Sequence, residues 1–369
     1  MKILFLSTHL DTGGITSYIL SLSKALKDRG HTVFVASSGG NRVTRFTEQG
    51  IIFIRIPIRT KSEIDLFKLI PSARILSTRV KEHQIDIIHA NTRVTQVLAH
   101  SVSRSTGVPF VSTFHGFFPG ARFFRKLFPC LGCRVIAISG SVREHLKQDF
   151  KVPEERIRLV YSGVDTEGLR LDAPKSRQTV RTSFGLDPSG PVIGIVARLS
   201  EVKGQPFLIR AFASVLKRVP EAQLMIVGEG KTEDSLRRLT AELGLKERVH
   251  FLPSVNNVRE AYYAMDIFVM PSLNEGLGLG LMEAMAWGKP VVGSAVGGIL
   301  NLIRDGENGI LARPGDPDSL ASGILRLIDA PDLAATLGNN ARKFISDNFS
   351  LEKMAAQTEG VYEECLKPA

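Results

Sequence analysis

Two carboxylates, two cations and a histidine stand out in this sequence because of what surrounds them. Glu275 and Glu283 bracket a glycine-bearing turn, Gly276, Gly278 and Gly280, inside the stretch 271–294. Glycines that open a helix let backbone N–H groups close on a bound anion, and the positive end of the helix dipole favours negative charge there. An acid beside such an anion is costly unless it touches something other than the anion. Hydroxyls of a sugar or ribose are the groups that a carboxylate would accept from. Arg198 and Lys203 lie five residues apart, after an apolar run and at the start of a helical one. Two cations beside a helix N-terminus can stabilise a departing diphosphate without a metal. His115 sits between Phe114 and Gly116, just past another apolar run. Each residue also has a plainer reading: a solvated basic helix start, a helix-surface carboxylate, a capped loop histidine. Asp316-Pro-Asp318 has the form of a metal-binding pair, but it directly precedes a helical run, so capping explains it better and no metal site is expected.

The elements that must position these residues alternate. In the first half, apolar runs at 2–7, 31–36, 51–56, 86–90, 109–113, 134–138 and 157–161 read as buried parallel strands. Helical spacing is expected at 15–28, where Ile15, Ile19, Leu22 and Leu26 share a face, and at 61–83, 92–106 and 140–147. A polar stretch, 165–190, contains one short helix and reads as a connection. The alternation then restarts with strands at 191–197, 223–227, 249–252, 266–270, 291–292 and 309–312. Helices are expected at 205–219, 232–243, 258–265, 281–287, 318–328, 333–348 and 351–366. Two successive open parallel sheets result, and ligands of such sheets sit beyond the carboxyl ends of the strands.

Length and composition narrow the options. A chain of 369 residues, 43% apolar, has room for two or three cores. A net charge of +10 attracts polyanions, anionic lipid or phosphorylated substrates. A nucleic-acid role has only that charge behind it, since no recognition motif accompanies it. The start, MKILFLS, imitates a secretory leader only briefly, and no apolar run of about 18 residues suggests a spanning helix. Three cysteines fit a reducing cytoplasm, and Cys130 and Cys133 read as incidental thiols.

Taken in order, the motifs resemble the family 4 glycosyltransferases of GT-B fold. They are Gly13-Gly14, Thr113-Phe-His115-Gly116, Ile138-Ser139, Gly163-Val-Asp165, Arg198 with Lys203-Gly204, Gly228-Glu229-Gly230, Glu275 with Glu283, and Gly297-Gly298. Three positions depart from the family's usual pattern: Ser162 for Asn, Leu277 for Phe, and Leu300-Asn301 for Pro-Glu. The resemblance implies two Rossmann-like α/β domains facing across a cleft: an acceptor domain at 1–165, a linker at 166–190, and a nucleotide-sugar domain at 191–348. A helix at 349–369 would return toward the first domain. It implies a retaining, metal-independent hexosyltransferase with no cofactor, using a nucleotide-sugar donor, UDP-sugar before GDP-sugar. The acceptor would be a glycan or glycolipid, such as lipopolysaccharide or another envelope glycoconjugate. His115, Glu275, Arg198 and Lys203 would be the catalytic set. Gly13, Gly14, Arg198, Lys203, Gly228, Glu275, Gly276, Leu277, Gly278, Leu279 and Glu283 would hold the donor. A GT-B sugar-nucleotide epimerase and an inactive membrane-associated scaffold are the competing expectations.

Directly after His115, residues 114–128 hold six of the 20 phenylalanines, interleaved with Arg122, Arg125 and Lys126. Rings at the acyl boundary and cations on anionic headgroups would suit an interfacial patch of Phe117, Phe118, Arg122, Phe123, Phe124, Arg125 and Lys126. The expected location is therefore cytoplasmic and peripheral on the inner face of the cell membrane.

Overall fold

The computed structural model describes residues 1–58, 66–117, 129–166, 168, 176–254 and 258–367. The chain divides into two compact units: Met1–Gly163 together with Leu351–Ala369, and Val164–Ser350.

In unit 1 the elements run β1 (Lys2–Leu6), α1 (Gly14–Asp28), β2 (Thr32–Ser37), α2 (Val43–Glu48), β3 (Ile52–Arg55), α3 (Ile70–His83), β4 (Ile87–Ala90), α4 (Arg93–Thr106), β5 (Phe110–Phe114), β6 (Arg134–Ala137), α5 (Gly140–Phe150) and β7 (Ile157–Leu159). The strands form one parallel sheet in the order β3-β2-β1-β4-β5-β6-β7. Central strands β1, β4 and β5 are buried along almost their whole length, polar His89, Ser112 and Thr113 included, as strands covered on both faces are. On one face Leu4, Leu6, Phe34, Ile88, Leu98 and Phe110 form the core.

Unit 2 repeats the plan: α6 (Arg177–Ser183), β8 (Val192–Val196), α7 (Gln205–Leu216), β9 (Gln223–Val227), α8 (Glu233–Glu242), β10 (Val249–Leu252), α9 (Val258–Ala264), β11 (Ile267–Met270), α10 (Leu279–Ala286), β12 (Val291–Ser294), α11 (Ile299–Leu302), β13 (Ile310–Ala312), α12 (Pro317–Asp329) and α13 (Pro331–Asn348). Its parallel sheet has the order β10-β9-β8-β11-β12-β13. Chain order reverses between β1 and β4 in unit 1, and between β8 and β11 in unit 2. These are the switch points where loops diverge and leave a crevice.

The last helix, α14 (Leu351–Leu366), belongs to unit 1. Glu364 pairs with Arg134 and Arg158 at 2.8 and 2.7 Å, and Glu359 pairs with Arg29 and His31. Cys365 is disulfide-bonded to Cys133. That bond corrects the reading of Cys133 as an incidental thiol, and it removes the cysteine count as an argument for a reducing compartment. Cys130 is free and buried.

Elements differ from expectation where local chemistry intervenes. Helix α3 begins at Ile70 rather than 61, because Pro71 is tolerated only in a helix's first turn; residues 59–65 lie outside the described ones. Helix α10 begins at Leu279, two residues early. Gly278, at φ 97°, supplies the left-handed entry, and Gly280 falls inside the helix. Asp316 caps α12, accepting from Ser319 N–H at 3.0 Å. Ser139 caps α5 and is fully buried, so its hydroxyl serves the helix.

Candidate active site

At the switch point of unit 2, two loops leave the carboxyl ends of β8 and β11 side by side. The β8 loop carries Arg198 and Lys203, and the β11 loop carries Ser272 and Glu275. Lys203 Nζ donates to Glu275 Oε2 at 2.5 Å, and Ser272 Oγ donates to the same oxygen at 3.0 Å. Glu275 is only 8% exposed, which its cation and hydroxyl partners make tolerable. Gly204, at φ 69°, ends the β8 loop. A Cβ there would stand 2.0 Å from the Pro271 carbonyl, so only glycine lets the two loops meet. Gly297 and Gly298 do the same on the far side, their missing side chains lying against the carbonyls of Glu275 and Gly276. Gln205 donates to the Arg198 carbonyl at 3.0 Å, which leaves the exposed Arg198 side chain on a fixed backbone.

Helix α10 follows the β11 loop, so the backbone amides of Gly276 to Leu279 lie at its N-terminus. Leu277 is buried, and only its backbone is available to a ligand. One turn into the helix, Glu283 Oε2 accepts from the Tyr262 hydroxyl at 2.6 Å. Burial pushes the Glu283 carboxyl up, and the tyrosine bond partly counters it. Gly228 packs under the β8 loop, where a Cβ would strike the Ala197 carbonyl at 2.0 Å.

Unit 1 presents a second cluster beyond its own switch point. His115 follows β5 and is half-buried. Its Nε2 lies 3.1 Å from Asn91 Oδ1, and the Tyr18 ring of α1 meets it edge-on at 4.6 Å. Beneath it, His89 is fully buried. Its Nδ1 is 2.6 Å from the Tyr362 hydroxyl of α14, and its Nε2 is 2.6 Å from Thr113 Oγ1. Burial pushes both imidazoles down to about 3. Gly13 and Gly14 lead into α1. The Gly13 backbone is extended, and a Cβ there would meet nothing within 4 Å. The fold alone does not demand glycine at that position.

The two neutral histidines make unit 1 acid-sensitive. The unfolded chain protonates an ordinary histidine below about pH 6.5, while the folded chain holds both neutral down to about 3. Acid therefore favours the unfolded state, and the stability contributed by the neutral rings is lost progressively as pH falls below the unfolded-state value. Urea midpoints followed from pH 7 to pH 4.5 should fall, and less steeply in His89→Gln. Equal slopes would count against it.

Of the expected site residues, Lys203 and Glu275 are brought into direct contact, with Arg198 on the same loop as Lys203. His115, Gly13 and Gly14 lie in the other unit. Phe117 is half-buried, its ring 5.2 Å from that of His145. Phe118, Arg122, Phe123, Phe124, Arg125 and Lys126 lie outside the described residues. Asn91, His89, Tyr362, Ser272 and Tyr262 were not anticipated. Nothing in their spacing marks them, because each meets its partner through the tertiary fold.

Paired doubly wound units, one with a cation–carboxylate cluster and a glycine-opened helix at its switch point, define a nucleotide-dependent transferase of the GT-B architecture. The family model of glycosyl transferases group 1 matches residues 176–344, and that of glycosyltransferase family 4 matches residues 12–168. An uncharacterized glycosyltransferase of Methanocaldococcus jannaschii is 30% identical over 297 residues, covering 76% of each chain. The N-acetyl-alpha-D-glucosaminyl L-malate synthase of Bacillus anthracis is 26% identical over 98% of this chain and 97% of its own. Anabaena HepE, solved in complex with UDP-glucose, superposes with a TM-score of 0.87 at 27% identity, covering 99% of this chain and all of its own. The chain belongs to glycosyltransferase family 4 and is a glycosyltransferase that binds a nucleotide sugar.

Proposed function

We propose that this chain is a retaining, metal-independent hexosyltransferase that moves a hexose from a UDP-sugar to a glycan or lipid-linked acceptor of the cell envelope. The observation that carries it is the Lys203–Glu275–Ser272 cluster at the switch point of unit 2, beside Arg198 and the N-terminus of α10. A cation and a carboxylate in contact suit a ligand that offers a phosphate to one and hydroxyls to the other. Arg198, Lys203 and the amides of Gly276 to Leu279 would take the diphosphate, Glu275 the hexose hydroxyls, and Glu283 the ribose hydroxyls. HepE was solved with UDP-glucose, which supports UDP over GDP as the donor base.

In the step itself, the acceptor hydroxyl oxygen bonds to the anomeric carbon on the face from which the diphosphate departs. The C–O bond to phosphate breaks, its electron pair stays on the phosphate, and the acceptor proton passes to that phosphate oxygen. A double displacement would need two carboxylates about 5 Å apart. Glu275 already spends one oxygen on Lys203 and Ser272, so it acts as an orienting group rather than a nucleophile. His115 would face a hydroxyl of the sugar.

Gly13, Gly14 and their N–H groups would approach the ligand closely. Gly13→Ala should therefore leave the melting temperature within about 1 °C and lower transfer at least about tenfold, since the extended backbone accepts alanine and only a ligand would meet the new methyl. Unchanged transfer would remove Gly13 from the site.

The proposal as a whole is tested by thermal shift with UDP, GDP, ADP and their sugars, followed by transfer assays with and without EDTA. Stabilisation by UDP, activity in EDTA and an α-linked product from an α-donor are expected. No stabilisation by any nucleotide would overturn it. We also propose that the segment after His115 rests on an anionic membrane surface. Liposome co-sedimentation unchanged in a Phe123→Ser, Phe124→Ser, Arg125→Ser variant would overturn that part.

A further inference from the structure

Asn91 holds the imidazole of His115 and has no part in the readings above. It directly follows β4, is 2% exposed, and anchors its own N–H on the Leu6 carbonyl at 3.1 Å. Among the described residues its carboxamide has two hydrogen-bond partners. Nδ2 donates to the backbone carbonyl of His89 at 3.1 Å, and Oδ1 lies 3.1 Å from His115 Nε2. A backbone carbonyl can only accept, so the amide nitrogen must face His89 and the amide oxygen must face the ring. An amide oxygen can also only accept, so His115 Nε2 must carry hydrogen. A neutral imidazole has one N–H, and burial keeps this ring neutral. Its Nδ1 is then a lone pair.

The surroundings keep this arrangement from relaxing. The edge of Tyr18 fixes the plane of the ring, at an interplanar angle of 78°. The His89 residue whose carbonyl orients Asn91 is itself engaged through both ring nitrogens, by Tyr362 and Thr113. Among the described residues, the titratable groups facing His115 are Tyr18 from α1 and His89 from β4, with Tyr362 of α14 behind His89. Burial pushes Tyr18 up to about 12 and Tyr362 well above its usual range, and His89 down to about 3. None of them changes charge near neutral pH.

We propose that Asn91 is a positioning residue that locks His115 in the Nε2–H tautomer, so that Nδ1 accepts a hydrogen bond from a ligand hydroxyl and cannot donate one. This rests on the reading of His115 as sugar-facing given under Proposed function. His115 then neither takes nor gives a proton during transfer. It selects a ligand that presents O–H at this point, and it repels one that presents only an ether or phosphate oxygen.

Long-range proton–nitrogen correlation spectra of the ¹⁵N-labelled full chain, with His115→Gln to assign the ring, report the tautomer directly. The expected result is a protonated Nε2 and an unprotonated Nδ1 that do not titrate between about pH 5.5 and 8. In Asn91→Asp the new carboxylate favours imidazolium, so the ring should titrate within that range. The kcat profile should gain an acid limb that the wild type lacks, and most of the rate should return at pH 8. A purely structural role would lower stability without adding that limb.

A wild-type ring protonated at Nδ1 overturns the proposal whatever the enzyme transfers. An Asn91→Asp profile superimposable on the wild type's overturns it as well. If the chain bound none of the nucleotide sugars, the functional reading would fall by itself, and the tautomer measurement would still decide whether Asn91 holds the ring.

Discussion

Replacing Glu275 with alanine should lower kcat for transfer by about 10²–10⁴-fold while free UDP binds as tightly as before or more tightly. The carboxylate is buried, with one oxygen held by Lys203 and Ser272. Hydrogen bonds from sugar hydroxyls to such a fixed carboxylate are charge-assisted. Losing two of them, at about 1.5–3 kcal/mol each, sets the size of the loss. The effect on UDP has the opposite sign because Glu275 competes with phosphate for the Lys203 ammonium. Without it, the cation is released to the nucleotide. Titration calorimetry with UDP alone, beside initial rates with the full donor, separates the two. Near-normal transfer in Glu275→Ala would remove its role toward the sugar.

Lys203→Ala should do two kinds of damage at once. The diphosphate loses a cation, which should weaken UDP binding by about ten- to a hundredfold. Glu275 loses its ion-pair partner while remaining buried. Breaking a buried pair costs about 3–5 kcal/mol, and the retained Ser272 bond and partial exposure of the lysine bring this nearer 2 kcal/mol. For a unit of this size that corresponds to a fall in melting temperature of about 4–8 °C. Adding Glu275→Gln to Lys203→Ala should recover the stability, since an amide needs no cation, but not the nucleotide affinity. Recovery of both, or of neither, would contradict the pairing seen here.

The fold was largely readable because its strands are short, mainly apolar segments that alternate with helical spacing, as sheets covered on both faces require. The short helices α2 and α11 escaped because so few residues show no periodicity. In unit 2 the sequence singles out Lys203, Glu275 and Glu283 because their setting among glycines and apolar residues is unusual. That Lys203 and Glu275 touch was not readable. Each was given to a different part of the ligand, and only the abutting β8 and β11 loops, with glycine at 204, bring them together. Asn91, Tyr262 and Tyr362 were hidden for the same reason. An asparagine after a strand and tyrosines on helix faces are ordinary residues until the sheet sets them against His115, Glu283 and His89. The Cys133–Cys365 bond spans 232 residues and has no local signature.

Because α14 belongs to unit 1, that unit is interrupted by the whole of unit 2, and this has a consequence for biogenesis. On the ribosome the seven strands of unit 1 emerge early, yet the helix that supplies Tyr362 to His89, Glu364 to Arg134 and Arg158, and Cys365 to Cys133 emerges only after unit 2. Unit 2 is continuous in sequence and can fold while unit 1 still waits for its partner. During that interval the ring beneath His115 lacks its tyrosine, and the surface that α14 will cover stays open. The His89–Tyr362 and Cys133–Cys365 links of unit 1 can therefore form only after the whole of unit 2 has been made.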